Sequence, residues 1–280
     1  MIATTSSPSA PTTTTFDELN TRAQELLPDF RRKIGELATN VPDEHLLKFL
    51  RWKPDIQRAA DRFHAHLAWR KKNPGLFDDT LRISRDPELE RLLQTNVVIA
   101  PPQCRTRAGG PLLIGRLRNN DMRDGRSPRD VCRMLFYTLD RVLEDPEAQL
   151  HGVTILHDLK GFDRSRNAHI DIPRILLGGI IGHFPVRIRA IYLCDAPTGF
   201  HAIFAILSRL LFPKKLRERC HFIQDTSEMC TDVDLAMLIK ELGGEVEFDS
   251  SQWVQDHKRR EENGSLVSLT DLVEGSGQYR

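Results

Sequence analysis

The first question is which residues could do chemistry together. The sequence has no GxSxG elbow, no HExxH pair, no GxxxxGK[ST] loop and no GxGxxG turn. His157-Asp158 stand at the end of a β-like run, where α/β enzymes often hold catalytic groups. Neighbouring strand residues point to opposite faces, so this pair reads as an inward polar residue followed by a turn-forming Asp. His183 and His201 lack ligand-spaced partners and read as ordinary, partly buried histidines. The five cysteines are widely spaced with no CxxC pair, which argues against a disulfide framework and a zinc site and favours a reducing compartment. These residues predict a protein that is not an enzyme and needs no metal or cofactor.

What stands out is the segment 184–222. Ten of the 13 residues in Phe200–Phe212 are apolar. As a helix this stretch would be about 20 Å long. A helix apolar nearly all round is either buried on every side or faces something apolar outside its own core. Just beyond it, Arg209, Lys214, Lys215, Arg217 and Arg219 against Glu218 make a local charge of +4, and Arg187 and Arg189 add two cations on the strand before. Two explanations fit this pairing. One is a core helix whose solvated basic end complements its C-terminal dipole. The other is an apolar lid over a lipid cavity, flanked by cations that meet anionic headgroups at a membrane surface.

The elements that must position these residues follow from the rest of the pattern. With 280 residues, 40% hydrophobic and 28% charged, the chain has the ordinary globular mix and length enough for a sizeable core. A formal charge of +1 gives no global field toward nucleic acid, so electrostatic recognition must be local. Beyond the polar N-terminal run, the longest uncharged stretches, Ile175–Val186 and Ala196–Ser208, have 12 and 13 residues. A bilayer needs roughly 20, so no transmembrane span is expected. Residues 1–15 lack the basic and apolar regions of a secretory signal and read as a disordered Ser/Thr/Pro tail.

Helical spacing over Phe16–Leu37, a short helix His45–Trp52 with Asp43 as its N-cap, and a helix Ile56–Lys72 make residues 16–80 a small helical unit. Then Val97–Ala100 and Pro111–Gly115 read as short β runs. Ser127-Pro128 opens a helix to about Leu143, and a strand ends at Asp158. A Gly-rich helix Ile172–Gly182, a strand Val186–Leu193 and a helix from Phe200 complete the rhythm of a sheet with crossover helices. Residues 255–280 read as a polar surface or flexible terminus.

The chain resembles the CRAL-TRIO lipid-binding family over about residues 43–250. The resemblance is carried by DEHLLKFLR (43–51), AWRKKNP (68–74), Gly152-Val153 through DLKG (158–161), FPVRIR (184–189), Ala196-Pro197 with Phe200-His201-Ala202, and LGGE (242–245). It is nearest to the branch of tocopherol and retinaldehyde carriers. It implies an α/β fold: a mixed sheet with crossover helices and a gate helix within Pro197–Leu211, spanning about 90–250 and preceded by the helical subdomain. It implies a pocket lined by Val153, Ile155, His157, Ile170, Phe184, Val186, Ile188 and Ile191, with Phe200, Ile203, Phe204 and Leu207 from the gate. It also implies a basic cleft for phosphoinositide headgroups at Lys53, Arg187, Arg189, Lys214, Lys215 and Arg219.

The function so implied is a cytoplasmic carrier, peripheral on membranes, that moves a small tocopherol- or retinoid-like lipid between them. Apart from that bound lipid it would need no cofactor. The alternative is a phospholipid exchange protein or lipid sensor. Val186 stands where phosphatidylinositol carriers place a glutamate, which weighs against phosphatidylinositol inside the pocket. His157 stands where the tocopherol carriers have an aromatic residue, so the cavity differs in shape from theirs.

Overall fold

The computed structural model describes residues 15–77, 81–266 and 269, so the expected tail falls almost wholly outside the described residues. The chain opens with helix α1 (Phe16–Ile34), fixed by a capping box between Thr15 and Glu18. Helix α2 (Asp43–Trp52) follows, and here the expected cap differs. Asp43 is the first helical residue, with Pro42 before it, and its carboxylate accepts from Arg31 Nε at 2.9 Å. The carboxylate at the helix start still suits the dipole. Helix α3 (Ile56–Lys72) is capped by Asp55, and the short α4 (Pro74–Phe77) ends the helical unit. Phe30, Phe49 and Phe63 form its core, none more than 1% exposed.

Helix α5 (Pro87–Leu93), which sequence spacing misses, leads into strands β1 (Val98–Ile99) and β2 (Leu112–Arg116). Helices α6 (Pro128–Val142) and α7 (Pro146–His151) precede strand β3 (Val153–Asp158). Helices α8 (Arg164–Asn167) and α9 (Asp171–Ile180) precede strand β4 (Ile188–Cys194). Helices α10 (Phe200–Leu211) and α11 (Lys214–Arg217) precede strand β5 (Cys220–Ile223). The sheet order is β1-β2-β3-β4-β5, antiparallel at β1–β2 and parallel elsewhere. Helical crossovers between parallel neighbours are what the alternating pattern requires.

Strand alternation divides the sheet into two faces. Leu112, Ile114, Leu156, Tyr192 and Ile223 pack on one side with residues 229–239. Leu113, Val153, Ile155, Ile191, Leu193 and Phe222 face the other side, toward α6, α9 and α10. The helical unit docks beside that second face through α3. Trp69 stacks on His183 with centroids 5.4 Å apart and meets Phe136 edge-on at 5.3 Å. Beside it, Arg70 pairs with Asp140 of α6. Here burial pushes the Asp140 carboxyl up, but Arg70 and Arg141 outweigh it and hold the group low.

This junction explains part of the glycine-rich helix. A Cβ at Gly179 of α9 would lie 2.5 Å from the Trp69 ring and 2.7 Å from that of Phe136, while at Gly178 nothing lies within 4 Å. Gly179→Ala is expected to destabilise the fold by about 2 kcal/mol through overpacking. Gly178→Ala should be neutral or stabilising by up to ~1 kcal/mol through helix propensity. Denaturant melts of the pair check this; equal effects would mean that close approach to Trp69 is not what selects glycine.

The first residues of the expected surface or flexible terminus, 255–262, are helical and lie at the surface. Helix α12 (Ser250–Glu262) packs Val254, 1% exposed, into the fold. Tyr137 donates to Glu261 at 2.8 Å and Lys258 to Glu90 at 2.8 Å, so polar anchors do what an apolar stripe usually does.

Candidate functional site

The middle strand of a sheet covered on both faces should be buried throughout, and β3 is so on only one. Thr154, Leu156 and Asp158 are buried, whereas Ile155 and His157, toward α9 and α10, keep accessible surface. The same holds at β5, where Cys220 and Phe222 are half-buried beside buried Ile223. Facing them across the gap, Ile172, Ile175 and Leu176 of α9 and Phe200 and Phe204 of α10 are also half-buried. Interiors are close-packed. Apolar side chains that keep surface beneath their own covering helices therefore line a space that the protein does not fill.

Most of the expected pocket residues come together here. Val153, Val186, Ile188 and Ile191 are buried in this cluster, with Ile155, Phe200 and Phe204 packed against it. Phe200 meets Phe162 at 5.4 Å, and Phe204 meets Phe222 at 5.3 Å. Ile203 and Leu207 lie half-buried on the flank of α10, outside the cluster. Two of the expected residues are placed differently from the rest. Ile170 precedes α9 and is 47% exposed, outside the cluster, because the helix turns it outward. Phe184 has no accessible surface; it stacks on Phe136 at 5.3 Å and meets His66 at 4.9 Å, so it belongs to the wall behind the space.

The inner side of α10 is Phe200, Phe204 and the buried Ser208. Its outer side carries Ile206 and Leu210, which are 63% and 74% exposed. The helix that is apolar all round therefore has one apolar face turned outward. His157 and Asp158 diverge, as strand alternation requires: Asp158 pairs with Arg118 on the opposite face.

The expected cleft residues gather where β4 begins. Arg187 donates to the Arg51 carbonyl at the end of α2, two residues from Lys53, and Arg219 donates to the Ile188 carbonyl. Lys214 and Lys215 start α11, which leads into β5. Burial, and then the neighbouring Arg189, lower the Arg187 pKa. Among the described residues the only carboxylate within 4 Å of these six cations is Glu218, 3.9 Å from Lys214. Like charges held together without acids leave a site complementary to anions.

Sequence reasoning missed a cavity of about 300 Å³ between α2, α3, the end of α6 and the residues Arg260, Ser265, Leu266 and Leu269, lined among others by the polar His45, Lys48, His66, Arg70 and Asp140. Burial lowers His45 to about 4, His66 to about 3 and Lys48 to about 8. Its residues come from five separate stretches, Pro185 among them, and no local spacing joins them.

A sheet of this order with its flanking helices matches the CRAL/TRIO domain profile over residues 97–244. The chain belongs to the CRAL/TRIO domain family. This CRAL/TRIO protein is 28% identical over 220 residues to tyrosine-protein phosphatase non-receptor type 9 of Mus musculus, covering 79% of the chain and 35% of that protein. It is 27% identical over 228 residues to alpha-tocopherol transfer protein-like of Mus musculus, covering 80% and 64%. To clavesin-1 of Rattus norvegicus it is 24% identical over 229 residues, covering 80% and 63%. The chain thus spans about a third of the phosphatase and under two thirds of the other two. The crystal structure of Sfh5 shares the CRAL/TRIO fold with a TM-score of 0.53 and 12% identity, over 88% of this chain and 97% of that one.

Proposed function

We propose that this chain is a carrier that holds a small hydrophobic molecule between β3 and helices α9 and α10 and exchanges it with membranes. The observation that carries this reading is the unfilled apolar face of the middle strand, where Ile155 and His157 keep surface beneath two covering helices. Apolar area gained by a ligand there contributes roughly 25 cal/mol per Å², a drive that needs no specific pairing. Helix α10 is the gate, and its outward Ile206 and Leu210 are the side chains that meet the lipid. The cations of the cleft bind phosphoinositide headgroups at the membrane, through charge-assisted bonds to phosphate. A membrane that binds the open gate better than the closed one then shifts the population toward release.

The test is transfer to vesicles with and without phosphoinositide by the double variant Arg187→Ala, Arg189→Ala. Each basic side chain near an anionic surface is worth about 1 kcal/mol, so transfer to phosphoinositide vesicles should slow by about tenfold or more. Transfer to neutral vesicles should be unchanged. Because Arg187 also ties β4 to α2, Arg189→Ala alone, at an exposed position, separates headgroup binding from folding. Unaltered transfer by a folded double variant removes the cleft from the mechanism.

A further inference from the structure

His157 is the polar residue on an otherwise apolar pocket wall, and its setting says what it is for. It lies on the pocket face of β3, opposite Gly115 of β2 in the parallel register. A Cβ at Gly115 would come within 2.7 Å of the imidazole Nδ1, so the glycine leaves the ring its place against the sheet. Nδ1 is buried without a hydrogen-bond partner. Among the described residues the ring has no other polar contact either. Native proteins rarely leave a buried polar atom unpaired, and the exceptions call for an explanation. Here the ring borders the unfilled space.

Resting on the carrier reading, we propose that His157 anchors the one polar group of the cargo, and that the cargo is an uncharged lipid with a single hydroxyl or carbonyl oxygen. Burial holds the imidazole at a pKa of about 4, so at neutral pH it carries one N–H donor and one acceptor nitrogen. As the ring is placed, Nδ1 lies over Gly115, so the cargo meets Nε2, which can donate to a hydroxyl or carbonyl oxygen or accept from a hydroxyl, according to tautomer. A carboxylate or phosphate would bring a bare charge into an apolar space beside a neutral ring, which burial penalises heavily. Position argues the same way. The cations Arg187 and Arg189 flank Ile188, which pairs with Val153 at the start of β3. His157 lies four residues further along, about 13 Å away at 3.3 Å per residue. The anion site and the cargo's polar anchor are therefore at opposite ends of the strand, and one phosphate cannot occupy both.

The experiment compares three C20 probes with one skeleton, phytane, phytol and phytanate, offered to the full chain in neutral vesicles and counted in the recovered protein. The wild type should prefer phytol to phytane by roughly tenfold, the worth of one neutral hydrogen bond, and should take phytanate least. His157→Phe should bind phytol and phytane alike, and His157→Gln should restore the preference. On the unaltered protein, phytol and not phytane should move the His157 ring nitrogen resonances. Equal wild-type binding of phytol and phytane, or a preference that survives in His157→Phe, overturns the anchor while leaving the carrier reading intact. Uptake of none of the three by folded wild type overturns both.

Discussion

Replacing Ile206 and Leu210 together with glutamate is expected to slow transfer to vesicles of any composition at least tenfold, while leaving the folded protein and its bound cargo undisturbed. Both side chains are exposed, at 63% and 74%, on the outward side of α10, away from Phe200 and Phe204. Surface substitutions of this kind usually change stability by no more than ~0.5 kcal/mol. In a membrane-docked state the same side chains would be removed from water, worth about 2 kcal/mol each, or some thousandfold in the docked population for the pair. Glutamate forfeits that and adds repulsion from anionic lipid. Sedimentation with vesicles, transfer rate and cargo retention in buffer check the three parts separately. Unchanged transfer would mean that α10 does not meet the membrane.

This prediction also separates the two membrane contacts. If the cleft acts as proposed, through charge, removing Arg187 and Arg189 should matter most at low salt and with phosphoinositide present. The outer face of α10 acts through apolar area, so its effect should be nearly independent of salt. A carrier that uses both docks only where anionic headgroups and accessible acyl surface coincide.

Periodicity in the sequence carries most of the fold: α3 begins and ends at the residues its spacing predicts, and Ser127 caps α6 as its side chain suggests. Short or polar elements escape it. Strand β5 has four residues and follows directly on the basic helix α11, so its alternation is too brief to read. Helix α12 has Val254 as its only buried residue and is held by ion pairs and by Tyr137. The local excess of cations over 187–219 was legible because charge can be counted without a fold to interpret it. The exposure of Ile170 just before α9 and the burial of Phe184 against Trp69 and Phe136 were not, since both depend on packing between elements distant in sequence. The cavity lined by His45 and His66 needs residues from α2, α3, α6, Pro185 and the C-terminal segment at once, and nothing local in sequence announces such a meeting.

That cavity governs the second large effect, a loss of stability in mild acid. His66 is 4% exposed. Its Nδ1 lies 3.2 Å from the His183 carbonyl oxygen. Burial first, then Arg70, drop it to about 3, with Asp140 pulling partly back. His45 falls to about 4 through burial, with Lys48 and Arg141 adding to it, and His157 falls to about 4 through burial alone. In the unfolded chain each binds its proton near pH 6.5, so between that pH and about 4 the unfolded state holds more protons than the folded one. Stability is therefore complete above pH 6.5 and declines as pH falls toward 4. At about 1.4 kcal/mol per tenfold change in proton affinity, His66 alone withdraws on the order of 4 kcal/mol. That is a large share of a marginal folding free energy of about 5–15 kcal/mol. Urea melts from pH 7.5 to 4.5 should show a steadily falling midpoint, and His66→Phe should flatten the decline below pH 6. The aromatic replacement keeps the contacts with Phe49 and Phe184, so a decline as steep as wild type would place the acid sensitivity in other groups. The junction of the helical unit with the sheet loosens because protonated His66 must sit beside the Arg70 guanidinium.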